Sequence, residues 1–178
     1  MTPLKQVTIY TDGSCLRNPG PGGYAAVLLA GSRRKEVSGG FRRTTNNRME
    51  LMAAIAGLAQ LKTRCAVRVY SDSTYLVRTI NRGSIRRSRE HGWVGSGGLR
   101  RLNSDLWEQL LRLCDDREVT FIWVRGHSRN PENRRCDELA DAAARCHDLP
   151  ADVVYEQGHP ASPHGTPKGK PGRPARAD

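Results

Sequence analysis

Val7-Thr8-Ile9-Tyr10-Thr11-Asp12 and Val67-Arg68-Val69-Tyr70-Ser71-Asp72 decide how this chain is read. Each is a short run rich in β-branched and aromatic residues, with the period-two alternation of a half-buried strand. Each ends on an aspartate. If the two strands lie side by side and parallel, both carboxylates reach the same edge of a sheet, the edge at which open α/β sheets place their ligands.

Outward from these runs, residues 13–23 are rich in Gly and Pro and are expected to form a loop. Tyr24 to Ala30 reads as a second strand, and Lys35 to Arg43 as a weaker third. Residues 47–62 carry Leu51, Ile55, Leu58 and Leu61 on one helical stripe. Helices are also expected over 73–82, with Gly83 as the stop, over 104–114 through Leu106, Leu110 and Leu113, and over Arg134 to Cys146. Val119 to Val124 is a further strand. Three strands followed by helices alternating with strands make a mixed sheet with helices packed on it. Residues 1–150 are expected to form one domain. Residues 151–178, rich in Pro, Gly and basic side chains, read as a disordered tail.

Lys and Arg exceed Asp and Glu by 11, and 24 of the 29 cationic residues are arginines. A balance this basic suits a polyanionic partner, above all nucleic acid. The five cysteines form no C-x-x-C pair, so neither a disulfide framework nor a zinc site is expected, and a reducing, cytoplasmic setting fits. No signal-like N-terminus and no bilayer-length apolar run is present, so no membrane association is expected. Nothing in the sequence points beyond a monomer.

Against this basic background stand four acids: Asp12, Glu50, Asp72 and Asp137. Singly, each has an ordinary explanation. Asp12-Gly13 could be a turn pair, Glu50 the far end of a capping box begun by Asn47, Asp72 a helix cap, and Asp137 a surface partner of Arg134. Together, two strand ends and two helices could bring them to one spot. Four carboxylates there would repel one another and raise each other's pKa. One or two hard divalent cations would relieve that cost and polarise a phosphodiester. His127, in the loop Arg125-Gly126-His127-Ser128-Arg129-Asn130-Pro131, could move protons beside such a site.

The motifs Thr11-Asp12-Gly13-Ser14, Asn18-Pro19-Gly20-Pro21-Gly22-Gly23-Tyr24, Thr44-Thr45-Asn46-Asn47-Arg48-Met49-Glu50-Leu51, Ser71-Asp72-Ser73, and Val124-Arg125-Gly126-His127 followed by Pro131-Glu132-Asn133 and Cys136-Asp137-Glu138-Leu139-Ala140 resemble, in order and spacing, bacterial ribonuclease H of type 1. The likeness spans about residues 5–147. It implies an α/β ribonuclease H-like fold, a five-stranded mixed sheet with three antiparallel strands and then parallel ones, flanked by helices. It also implies endonucleolytic cleavage of the RNA strand of RNA–DNA hybrids with Mg²⁺ or Mn²⁺. By resemblance Asp12, Glu50, Asp72 and Asp137 are the metal ligands, and His127 is the loop histidine of catalysis. Cys15, Asn18, Asn46 and Thr74 line the hybrid groove, and Thr45 lies near a DNA phosphate pocket. An A-form-like hybrid shows its 2′-hydroxyls in a wide, shallow minor groove that short polar side chains can reach.

Residues 78–101 depart from the pattern, which there has a helical basic protrusion with several tryptophans. This chain keeps Arg86, Arg87 and Arg89 among seven arginines, but only Trp93, and Gly83 and Gly95-Ser96-Gly97-Gly98 interrupt the helix. These three arginines and Trp93 are expected to touch substrate. Two rival readings share the charge: a nuclease of the same fold acting on DNA, and a module that grips hybrid without cutting it. A nucleotide cofactor is not expected. Gly20-Pro21-Gly22-Gly23-Tyr24-Ala25 leads into a strand rather than a helix, and no phosphate-loop G-K-[ST] or serine-hydrolase G-x-S-x-G occurs.

Overall fold

Val7 and Ile9 turn to one side of their strand and Tyr10 to the other, and this alternation places the helices on both faces of the sheet. The computed structural model describes residues 4–95, 97–126 and 130–158. In chain order the elements are β1 (Gln6–Cys15), β2 (Gly20–Ala30), β3 (Arg33–Thr44), α1 (Asn46–Ala59), β4 (Ala66–Ser71), α2 (Thr74–Asn81), α3 (Ser84–Glu90), α4 (Ser104–Asp115), β5 (Glu118–Trp123), α5 (Pro131–Ala144) and α6 (Val153–Gly158). The five strands lie in the order β3-β2-β1-β4-β5. β1–β2 and β2–β3 are antiparallel, while β1–β4 and β4–β5 are parallel, as the resemblance implies.

The larger core lies on the face of Val7 and Ile9, where Leu51, Leu58, Val69, Leu76, Trp107 and Leu110 are buried. Trp107 is fully buried, and truncating such a residue to alanine costs about 3–5 kcal/mol. On the opposite face Ala25 and Val27 of β2 pack beneath Cys136 and Ala140 of α5, with Tyr10 against them. Small residues let α5 come close. A β-carbon at Gly23 would stand 2.1 Å from the carbonyl oxygen of Ala140.

The structure corrects three details of the reading. The Gly/Pro stretch 13–23 is largely strand. Ser14 and Cys15 pair with Gly23 and Gly22, so only residues 16–19 turn. Glycine here serves close packing rather than a loop. Helix α1 is capped by Thr45, whose hydroxyl accepts from Arg48 N at 3.4 Å, and α2 by Ser73, which accepts from Leu76 N at 3.2 Å. Neither Glu50 nor Asp72 is therefore consumed as a cap.

The third correction concerns residues 151–158, which belong to the folded unit. Asp152 is buried and accepts from Arg48 Nε at 2.6 Å, Arg48 Nη2 at 2.8 Å and Thr44 Oγ1 at 2.7 Å. Helix α6 follows, and its Glu156 pairs with Arg42. The deciding partner, Arg48, lies far back in sequence, which is why composition alone places the boundary too early. The rest of the expected tail, 159–178, lies outside the described residues.

Candidate active site

Register brings the two strand-end aspartates together. Thr11 of β1 is paired with Ser71 of β4, so Asp12 and Asp72 are the next residues on adjacent parallel strands. Asp12 lies two residues beyond Tyr10 and points to the same face, that of α5, which carries Asp137. Glu50 comes from the other face. Position 13 has no side chain, so the start of α1 packs directly on β1; a β-carbon at Gly13 would lie 2.4 Å from Glu50 N.

The result is a pocket of about 240 Å³ lined by Asp12, Gly13, Asn46, Glu50, Asp72, Asn133, Arg134 and Asp137. Carboxylate oxygens of Asp12, Glu50 and Asp72 lie within 4.8 Å of one another. Asp137 completes the lining and shares a hydrogen bond with Asp12. Burial, then the charges of Asp72 and Asp137, push the Asp12 carboxyl up to about 7. Glu50 is pushed well above the usual carboxylate range, first by burial and then by Asp12 and Asp72. Glu50 Oε2 is buried without a hydrogen-bond partner. A buried, unpartnered carboxylate oxygen among like charges is costly, and a hard cation with oxygen ligands is the chemistry that satisfies it. The donor set fits such an ion.

Beside this pocket lie the short polar groups expected in the groove. Asn18 Oδ1 accepts from Asn46 N at 3.4 Å, and the Cys15 thiol lies 3.6 Å from the carbonyl oxygen of Thr44. Thr45 and Asn46 open α1, and exposed Thr74 opens α2 two residues beyond Asp72. His127 lies outside the described residues.

The basic segment differs from expectation. Residues 84–90 do form a helix, but Arg89 is held by Asp115 through contacts of 2.9 and 3.1 Å, and Arg86 lies 3.6 Å from the same carboxylate. Arg87 is exposed. Trp93 is a correction. It is buried, with its indole N–H donating to Glu108 at 3.1 Å, so it anchors the segment to α4 instead of offering a stacking face. A lone tryptophan in a polar stretch gives no sign of which side it will face.

Residues 4–145 match the RNase H family model. A ribonuclease H of Syntrophus aciditrophicus is 58% identical over 86% of this chain and 88% of its own length. One of Desulforamulus reducens is 54% identical over 85% and 96%. The chain belongs to the ribonuclease H family. It is thus a hydrolase, an endonuclease acting on RNA in RNA–DNA hybrids. Among solved structures, LC9-RNase H1, a type 1 enzyme with the type 2 active-site motif, superposes with a TM-score of 0.71 at 29% identity, covering 81% of this chain and 74% of that one. The family depends on divalent metal, and the acidic cluster is where the described residues could hold it.

The sequence reading gave no site role to Asn133 and Arg134, which line the carboxylate pocket. The signal was present: Asn133 precedes Asp137 by four residues, one helical turn on the same face. No helix of the described residues is long and apolar enough to cross a membrane.

Proposed function

We propose that Asp12, Glu50, Asp72 and Asp137 together hold one or two Mg²⁺ ions, with Mn²⁺ as an effective substitute, and that the RNA strand is cut to leave 5′-phosphate and 3′-hydroxyl ends. The observation that carries this is the convergence of Asp12, Glu50 and Asp72 within 4.8 Å around a buried oxygen that nothing in the protein satisfies. When bound, the cations supply Lewis-acid polarisation of the phosphodiester and a stronger nucleophile.

The chain's own residues do the rest. Buried Glu50 is fixed by its helix and presents one oxygen to the pocket. Asn18 and Asn46, with Cys15 and Thr74 nearby, offer short polar groups to ribose 2′-hydroxyls, which distinguishes RNA from DNA on that strand. Thr45 and the arginine-rich helix α3, through Arg87 above all, meet phosphates and set position without reading sequence. Arg86 and Arg89 contribute through the field they share with Asp115. His127, which precedes α5 in the sequence, moves a proton at the leaving oxygen. All five cysteines are free, in keeping with a reducing cytoplasmic setting. The enzyme acts there as a monomer.

The test is a strand-resolved assay comparing RNA–DNA hybrid, double-stranded RNA and double-stranded DNA with and without Mg²⁺. Only the RNA strand of the hybrid should be cut, and only with metal. Asp12→Asn should abolish cutting while hybrid binding persists, and His127→Ala should slow turnover without stopping it. Cleavage by Asp12→Asn at the parent rate would remove the metal assignment.

A further inference from the structure

Two residues that line the acidic pocket each hold an oxygen of the same unusual status. Glu50 Oε2 and Asn133 Oδ1 are both buried and both lack a hydrogen-bond partner. Asn133 is 2% exposed, in the first turn of α5, and lines the pocket together with Asp137 one turn further on. Its backbone N–H is already used, donating to Asn130 Oδ1 at 3.2 Å. Its side-chain carbonyl oxygen, on a residue that lines the carboxylate pocket, has nothing to accept from. A buried acceptor in that state costs on the order of 1–3 kcal/mol. None of the carboxyl groups in the pocket donates to it.

We propose that Asn133 is a positioning residue for the divalent cation: its Oδ1 accepts a hydrogen bond from the ion's hydration shell. This rests on the metal reading above and adds a fifth, neutral oxygen to it. Mg²⁺ dehydrates reluctantly and keeps several waters, each a strong donor needing an acceptor. A neutral carbonyl meets that need without adding a further negative charge to a pocket already lined by Asp12, Glu50, Asp72 and Asp137. Partners beyond the direct ligands orient a metal site, and losing one typically weakens metal affinity or activity 10–100-fold.

The experiment is Mg²⁺ titration of the free enzyme, followed by calorimetry and by amide shifts around Asp12 and Asp72, with thermal unfolding in chelator as a second measurement. Asn133→Ala should weaken Mg²⁺ binding roughly tenfold, while the metal-free melting temperature stays level or rises because an unsatisfied buried group is gone. Asn133→Asp, which keeps an oxygen at the same place, should retain Mg²⁺ binding and supplies the reading if the alanine variant does not fold. Unchanged Mg²⁺ affinity in Asn133→Ala overturns the inference but leaves the four-carboxylate reading standing, as does loss of binding in both variants. No Mg²⁺-dependent shift in the parent enzyme overturns both.

Discussion

Gly13 and Glu50 are in backbone contact: a β-carbon at position 13 would fall 2.4 Å from Glu50 N and 2.9 Å from Glu50 Cα. The absence of one side chain sets how near α1 lies to β1, and therefore how near Glu50 lies to Asp12. Gly13→Ala must push strand and helix apart. We expect a loss of about 1–3 kcal/mol from overpacking. Cleavage should fall much further, roughly 100-fold, because the carboxylates no longer converge. Gly97, with open space where its β-carbon would be, is the control. Equal kcat for Gly13→Ala and Gly97→Ala would mean that Glu50 placement is not critical.

The acidic cluster also makes a prediction about pH. Asp12 is raised to about 7 in the folded protein, against about 3.9 in an unfolded chain. Between those values the folded state holds the proton more tightly, so stability is full below pH 4 and is lost as pH rises through 7. Glu50 acts in the same direction. In chelator, melting temperature should therefore fall from pH 5 to pH 8 more steeply in the parent than in Asp12→Asn, and Mg²⁺ should restore the parent at pH 8. Parallel profiles for the two proteins would show that Asp12 is not strained by its neighbours.

Much of this site was readable because its residues close or open regular elements. Asp12 and Asp72 end strands whose alternation is plain, and parallel pairing then fixes their adjacency. What local pattern cannot carry is side-chain partnership across distance. Arg86 and Arg89 look like free cations until Asp115, on a separate helix, is seen to hold them. Trp93 looks like a surface aromatic until Glu108 takes its N–H. Asn133 stands in the Pro131-Glu132-Asn133 stretch, but only the packing of α5 on the sheet shows that it lines the pocket.

The arginines of α3 should therefore be unequal. Arg87 is exposed, with no ion pair among the described residues, and Arg87→Ala should lower the salt dependence of hybrid affinity by about one charge. Arg89→Ala should change it less, since that guanidinium is engaged by Asp115. Its effect should grow in an Asp115→Asn background, where the guanidinium is released. Log–log plots of affinity against salt decide the matter, and a larger change for Arg89 than for Arg87 would overturn the ranking.

The C-terminal segment should behave as part of the enzyme up to residue 158. Arg48 is 3% exposed and is shared between Asp105, at 2.7 and 2.9 Å, and Asp152, at 2.6 and 2.8 Å. Removing one member of a buried ionic group strands the others and costs about 3–5 kcal/mol, far more than an exposed pair. Truncation after Pro150 removes Asp152 and the Arg42–Glu156 pair, so melting temperature should drop by roughly 10 °C. Truncation after Gly158 should leave it unchanged. Arg48 stands on α1 two residues before Glu50, so the shorter protein should also lose turnover beyond what unfolding explains, measured well below its melting temperature. If the two truncations melt together, Asp152 contributes nothing and the folded unit ends at residue 150 after all.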